Sequence, residues 1–327
     1  MNRPLPGTHA FEVPPELSGE RLDRALVALL GPGSAISRSR LQAWIKAGRV
    51  RVAGVQAARP NLQVDGGVEI LLDIPGEEPA VDVEGHRIVE LEVLHEDEAI
   101  VVVDKPAGLL VHPTDRLQTG TLVHLAKERF GELPEVQGAD RPGVVHRLDR
   151  LTSGVMVLGR TLEALEHLKA QFARREVKKE YLAICHHEPR FDSEWIEAPI
   201  EPTPRNPDRF RVAREGGREA STYLECRERF RGFSLVAALP MSGRTHQIRV
   251  HLAHAGLPIV GDRVYRHPGA LKDPLPGDAP TVARQLLHAR SLAFEHPSTG
   301  QEVRFEAAPP EDFSLILGWL RTERPAP

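Results

Sequence analysis

The chain has 327 residues, room for about two domains at roughly 150 residues each. It is 41% hydrophobic and 27% charged, the balance of an ordinary globular protein, and no run nears the roughly 18 apolar residues of a membrane helix. A net charge of −4 argues, as an average, against a nucleic-acid partner, and two cysteines, Cys185 and Cys226, exclude a disulfide framework or a multi-cysteine zinc site.

The first residues, Met1 to Pro6, lack the apolar segment of a secretory signal, so a cytoplasmic address is expected, with residues 1–10 as a tail. Leu22, Ala25, Leu26, Leu29 and Leu30 then recur at helical spacing. Ser18 is placed to cap that helix, and Gly31-Pro32 to stop it. Ser37 can cap a second helix with Leu41, Trp44 and Ile45 on its apolar face and Arg38, Arg40 and Lys46 on the other. Short strands follow around Val50–Val52 and Val64–Leu72, making residues 11–73 a small α+β unit. From Arg38 to Arg59 every charged residue is basic, Arg49 and Arg51 included; from Ile74 to Glu98 acidic residues dominate. Two readings fit the basic stretch: a surface for nucleic acid, or a solvated face balancing the acidic connector at 74–90.

These residues carry a resemblance. Gly19 to Leu26, with Ser37-Arg38-Ser39-Arg40 running on to Gly48-Arg49-Val50, is similar to the S4-type RNA-binding domain. The resemblance implies that Arg38, Arg40, Lys46, Arg49 and Arg51 meet RNA phosphates. Ala53-Gly54 departs from the Asn-Gly common in that family's turn, which touches turn chemistry only.

Residues 91–322 read as one larger domain, with 323–327 as a C-terminal tail. Ala99–Val103, Val155–Leu158, Tyr181–Ile184 and Phe233–Ala237 are strand candidates. Helical periods occur at Leu165, Leu168 and Phe172 and again at Phe313, Ile316 and Leu320, and Pro268–Pro280 reads as loop. Strands outnumber helices at irregular spacing, which predicts a mainly antiparallel α+β fold.

The chemistry is not announced by a phosphate loop, a nucleophile elbow or an H-E-x-x-H pair. His246, His251 and His254 stand five and three apart, offsets that do not match the i, i+4 pairing of two metal ligands on a helix, and no cysteine is nearby, so they are read as polar contacts and no metal is expected. The segment Val144 to Gly154 sets Asp149 in a turn between Arg147 and Arg150. Flanking cations favour the ionised form of a carboxylate, which suits a nucleophile or electrostatic stabiliser better than a general acid. A surface ion pair explains the same residues, and such pairs contribute little.

Three further blocks accompany it: Val103-Asp104-Lys105-Pro106 to Pro113, Lys178-Lys179-Glu180-Tyr181, and Ser242-Gly243-Arg244-Thr245-His246-Gln247-Ile248-Arg249-Val250-His251-Leu252, with Pro258 to Asp262 beyond. In this order they resemble the RluA family of RNA pseudouridine synthases, and Leu287–Leu292 with His296–Gly300 leans towards its RluD-like branch. The resemblance implies an enzyme that isomerises uridine in large-subunit (23S) ribosomal RNA without cofactor or metal. Transfer RNA as substrate, or a non-catalytic RNA-binding assembly factor of the same fold, are the alternatives. It implies Asp149 as the catalytic aspartate, Tyr181 as the residue that stacks on the base and is placed to take the C5 proton, and Arg244 as the cation paired with Asp149. Arg147 would fill the gap left by the flipped uridine; Ile248 and Leu252 would form apolar walls. Lys105 and His112 would support the site from behind. A monomer without membrane contact is expected. Arg205, Arg209, Arg211, Arg214 and Arg218 suggest a basic hairpin or loop that could grip RNA, and a solvated hairpin fits them equally.

Overall fold

The computed structural model describes residues 7–31, 34, 36, 38–74, 90–113, 120–135, 141–266 and 275–326. The expected Ser37 cap, Pro32, most of the 74–90 connector, the first six residues, the 268–274 part of the expected loop and the side chain of Arg40 lie outside them. The chain divides into two compact units, residues 1–79 with 113–120, and residues 80–112 with 121–327.

The smaller unit runs β1 (Gly7–Glu12), β2 (Glu20–Arg21), α1 (Leu22–Leu30), α2 (Arg38–Lys46), β3 (Val50–Val52), β4 (Val55–Gln56), β5 (Gln63–Val64) and β6 (Glu69–Ile74). β1, β6, β3 and β4 form one sheet in that order, and β2 pairs with β5. Leu22, Ala25 and Leu26 of α1 and Leu41 and Ile45 of α2 are fully buried with Val50, Ile70 and Leu72 of the sheet. That is the stripe the helical spacing predicts. Two expectations are corrected. Strand β1 begins inside the stretch expected to be tail, because Gly7–Ala10 pair with Leu71–Ile74. Ser18 does not cap α1: its Oγ accepts the Gly66 N–H at 3.0 Å, and Arg21 occupies the N-cap. At the β3–β4 turn both Ala53 (φ 49°) and Gly54 (φ 76°) are left-handed, the geometry that favours Asn-Gly, so Ala53 carries the strain the sequence departure introduces.

The larger unit runs β7 (Glu92–Glu96), β8 (Ile100–Lys105), α3 (Leu122–Phe130), β9 (Ser153–Gly159), α4 (Leu162–Arg174), β10 (Lys178–His186), β11 (Ser193–Glu197), β12 (Ile200–Thr203), β13 (Asn206–Val212), β14 (Ser221–Phe230), β15 (Phe233–Pro240), α5 (Gln247–His254), β16 (Leu287–Glu295), β17 (Glu302–Glu306) and α6 (Glu311–Glu323). Its nine-stranded sheet has the order β11-β14-β15-β10-β16-β9-β8-β7, with β17 on β16. Pairing is antiparallel except where β9 meets β16. Every residue of β9 is buried, as a strand covered on both faces requires. Val101, Val103, Met156 and Leu158 pack on α3, while the alternate residues Ile100, Val102, Val155 and Val157 pack on α4. At the other end α5 packs on Ala183, Cys185, Val236 and Ala238, and α6 on Ile184 and Leu235. The expected C-terminal tail is tied down at Arg324 and Pro325, whose backbone pairs with Arg231 and Phe230.

Gly154, at the parallel β9–β16 contact, has φ +120°, and a Cβ there would lie 2.2 Å from the Ala289 carbonyl oxygen. Gly154→Ala should therefore destabilise the fold by about 2–4 kcal/mol in urea unfolding. A loss below half a kilocalorie would refute that close approach. Fully buried His288 lies between the Ser153 hydroxyl and the Ala307 carbonyl, and burial pushes its pKa down to about 4. The unfolded chain binds that proton near pH 6.5 while the folded chain does not, so stability should fall as pH drops from about 6.5 towards 4. Urea midpoints across that range, flatter in a His288→Gln variant, check the assignment.

Candidate active site

Asp149 stands in the turn that feeds β9, and two buried cations hold the backbone behind it. The Lys105 ammonium, wholly buried at the end of β8, donates to the carbonyls of Pro106 (2.9 Å), Leu109 (3.0 Å) and Arg150 (3.2 Å). Burial, then the nearby Arg284 charge, pushes its pKa down to about 7 against the pull of Asp149 and Asp104. Arg284 donates to the next carbonyl, Leu151, at 3.1 Å while its fork holds Asp312. The Gly108 N–H donates to the Arg150 carbonyl at 2.8 Å, and the Thr152 N–H to that of Asp149 at 3.0 Å. The turn's conformation is thus set by main-chain bonds on both sides.

The carboxylate meets Arg249 of α5. Arg249 Nη1 donates to Asp149 Oδ2 at 3.0 Å, while Nε and Nη2 grip Asp262 at 2.7 and 3.0 Å. Asp262 Oδ1 also accepts the N–H groups of Val264 and Tyr265, at 2.8 and 3.0 Å. Burial opposes the charge on Arg249, but Asp262 and Asp149 outweigh it and hold the guanidinium above its ordinary range. Burial likewise opposes ionisation of Asp262, and Arg249 with the two backbone donors brings its pKa below the usual value. The Tyr265 ring lies under the guanidinium, 4.9 Å from its carbon. Tyr265 Oη accepts the Phe210 N–H of β13 at 3.0 Å and lies 2.7 Å from His246 Nδ1. His246 Nε2 is in turn 3.8 Å from Asp149 Oδ2, and burial pushes this imidazole's pKa down.

Of these groups Asp149, His246 and Arg249 line a cavity of about 540 Å³, within the range of small-ligand sites. Among the described residues lining it, Asp149 is the one carboxylate, against the cations Arg141, Arg147, Arg175, Lys179, Arg244 and Arg249. Tyr181, Ile248, Phe172 and His146 supply apolar and aromatic wall, with His146 stacked on Phe172 at 4.7 Å. Burial, then the Asp149 charge, pushes the Tyr181 phenol up, so it is neutral at physiological pH. Two polar atoms in the wall, His112 Nδ1 and Thr152 Oγ1, are buried without a hydrogen-bond partner among the described residues.

The structure therefore brings together Asp149, Tyr181, Arg147 and Ile248 as the sequence predicts, and corrects two other assignments. The cation paired with Asp149 is Arg249; Arg244 points its Nε to the Glu219 carbonyl at 3.1 Å and lines the same cavity. Arg244 lies half-buried in the segment before α5, whereas Arg249 projects from a helix whose residues 247–252 are all buried. Leu252 is buried among Ala183, Leu224 and Val236 and is not part of the cavity wall. Arg249, Asp262, Tyr265 and Arg284 were missed. The first two lay inside quoted motifs; for the others, far apart in sequence, nothing in the chain signalled the contact.

Of the basic residues in the smaller unit, Arg38 is engaged with buried Asp23 at 2.9 Å and Arg49 with Asp73 at 3.2 Å. Burial alone would raise the Asp23 carboxyl, and hydrogen bonds from Arg21, Gln42 and Arg38 bring it to about 2. Lys46 and Arg51 are exposed, with no carboxylate partner among the described residues. Arg205, Arg209 and Arg211 lie in the hairpin β12–β13, with Arg211 paired to Glu201 at 2.8 Å, and Arg214 and Arg218 follow it. His251 has both ring nitrogens occupied, by Thr222 Oγ1 and the Ala198 carbonyl. One group of described residues, His95, Asp97 and His296, has metal-like spacing. His296 Nδ1 accepts the N–H groups of Ser298 and Thr299, so Nε2 carries the proton and donates to Asp97 at 2.8 Å. That tautomer makes the group a hydrogen-bond cluster.

The model of the family described as RNA pseudouridylate synthase matches residues 99–254, and that of the S4 domain matches residues 20–70. A protein of Pseudomonas aeruginosa named ribosomal large subunit pseudouridine synthase D is 40% identical over 97% of this chain and 97% of its own length. One of the same name from Xanthomonas campestris is 40% identical over 95% of this chain and 92% of its own. A solved structure of human RNA pseudouridylate synthase domain containing 4 superposes with a TM-score of 0.54 at 29% identity, covering 72% of this chain and 95% of that one.

Removing one partner from a buried ion pair strands the other. Asp262→Ala should cost about 3–5 kcal/mol of stability, because Arg249 loses two of its three charged hydrogen bonds. Asp149→Ala should cost much less, since Asp262 still neutralises the guanidinium. Equal losses for the two variants in urea unfolding would overturn this ranking.

Proposed function

This chain belongs to the RNA pseudouridylate synthase family, and on that premise we propose that it isomerises uridines of large-subunit ribosomal RNA, with Asp149 carrying the chemistry. The observation behind the second part is the position of that carboxylate, alone among the cavity's cations and held by a buried arginine. The substrate reading draws on the names of the relatives and on the S4 domain, a phosphate-gripping module suited to a large structured RNA. A cytoplasmic address follows from such a substrate.

The target base leaves its stack to reach the cavity, at a cost of a few kcal/mol. Arg147, exposed at the cavity rim, offers a planar guanidinium to fill the gap. Tyr181 and Ile248 receive the uracil. A carboxylate at Asp149 can attack C1′ or remove the 2′ proton, and either route detaches the uracil. The base then turns within the walls and joins C1′ through C5, displacing the Asp149 carboxylate where it had attacked; C5 gives up its proton and N1 takes one up. The reaction is an isomerisation of the nucleoside, so it consumes no cofactor. A neutral Tyr181 phenol suits stacking in the resting site; taking the C5 proton would require its phenolate. Arg249 holds the reacting oxygens in place through charge-assisted hydrogen bonding. Arg244, at the same wall, is a substrate contact in this reading.

Tritium release from ribosomal RNA labelled at uridine C5, isolated from a strain lacking the gene, tests both parts. Wild type should release tritium, and Asp149→Ala should lose at least about 10³-fold in rate with RNA affinity nearly intact. Turnover by Asp149→Ala would remove that residue from the chemistry. Release from transfer RNA alone would overturn the ribosomal assignment.

A further inference from the structure

Among the described residues, several cations of the cavity wall have no carboxylate partner, and two of them, Arg175 and Lys179, stand close to Tyr181 in the chain. Lys179 lies on β10, two residues before Tyr181, and Arg175 follows α4 directly. Both line the cavity. Their sequence neighbours are paired: Lys178 with Glu302 at 2.8 Å and Arg174 with Glu176 at 2.8 Å. Neither Arg175 nor Lys179 has a carboxylate partner among the described residues, and the cavity's one carboxylate is occupied by Arg249. Lys179 is half-buried. Burial, then the charge of Arg175, pushes its pKa down to about 8, so the two cations oppose each other in a partly dry wall.

The backbone gives an independent sign. Arg175 has φ 61° and ψ 31°, a left-handed residue at the helix C-terminus where glycine is the usual occupant. An arginine there costs about 1 kcal/mol of conformational strain. Strain kept at a cavity wall points to a side chain that is used. Uracil is neutral and cannot offset two adjacent positive charges; RNA carries its negative charge on its phosphodiesters. Lys179 and Tyr181 are about 7 Å apart along the strand. A phosphate beside Lys179 would belong to the nucleotide whose base meets Tyr181, or to its neighbour.

We propose that Arg175 and Lys179 form a subsite for a phosphodiester of the RNA backbone next to the extruded uridine. The subsite rests on the reading of the cavity as the place where that uridine is received. It sets the register of the strand, while Tyr181 and Ile248 hold the base.

The test uses the full chain, large-subunit ribosomal RNA transcribed in vitro, and the variants Lys179→Gln, Arg175→Gln and Lys179→Arg. For each glutamine variant the loss should fall on KM, rising roughly tenfold or more, and not on kcat. The slope of log affinity against log salt should shrink by about 0.7 for each contact removed, and Lys179→Arg should restore it. Free Lys179→Gln protein should melt no earlier than wild type, because an unpaired cation has been removed from a partly buried wall. An unchanged salt slope in both glutamine variants, or a loss confined to kcat, would overturn the subsite. So would earlier melting of Lys179→Gln, since Lys179 would then hold a structural partner. Failure of the wild type to modify this RNA would count against the ribosomal reading alone; the same slopes measured on transfer RNA would then decide the subsite.

Discussion

The site depends on how one guanidinium is shared. Arg249 is 7% exposed in its side chain, and a charge so placed needs full compensation. Asp262, wholly buried, takes Nε and Nη2 and is itself fixed by two backbone N–H groups. That leaves Nη1 for Asp149, the more exposed of the two carboxylates. In the proposed reaction the division matters for the chemistry as well. Asp262 neutralises the arginine permanently, so the second carboxylate can engage a ligand without leaving a bare buried charge. Planar fork geometry makes the sharing possible, which a lysine at the same position would not.

The other half of the arrangement is a turn that cannot drift. Lys105 and Arg284 collect the carbonyls of Arg150 and Leu151, the two residues after Asp149. Both are buried cations using carbonyl oxygens as ligands, and both add positive potential behind the carboxylate. Gly154 then lets β9 lie against β16 in parallel, with no side chain between the strands. Asp149 is therefore presented to Arg249 by main-chain bonds whose strength does not depend on the ligand. This is the preorganisation that electrostatic catalysis requires.

Elements with a single apolar face were legible before folding: α1 through Leu22 and Leu26, α4 through Leu165 and Leu168, α6 through Phe313 and Ile316. Helix α5 was not, because Gln247, Ile248, Arg249, Val250, His251 and Leu252 are all buried and leave no stripe to read. Its charged residue is inside for a reason that lies elsewhere in the chain, in Asp149 and Asp262. The same blindness moved the aspartate's partner from Arg249 to Arg244: both sit in one motif, and only the helix decides which of them points inward. Ser18 was misread for a related reason, since a turn N–H, that of Gly66, competes for the same hydroxyl. Motif strings located the site to within a few residues, and tertiary pairing assigned the contacts inside it.

A chain of net charge −4 that acts on RNA separates its charges by location. The cavity wall holds six cations and one carboxylate, while much of the balancing negative charge lies in the acidic stretch after Ile74. Within the wall the roles separate again. Neutral groups, Tyr181, Ile248 and the His146–Phe172 stack, offer an apolar surface to an uncharged base. Cations left unpaired offer positions to a charged backbone. Pairing those cations internally would make the free protein more stable, but it would make each phosphate contact an exchange of one ion pair for another. Leaving them unpaired means that the charge energy is released on binding, and mutual repulsion in the free protein adds to the preference for the bound state. The cost is borne by a sheet with helices on both faces and a wholly buried β9, which can tolerate a strained Arg175 and a half-dry Lys179 without losing its fold.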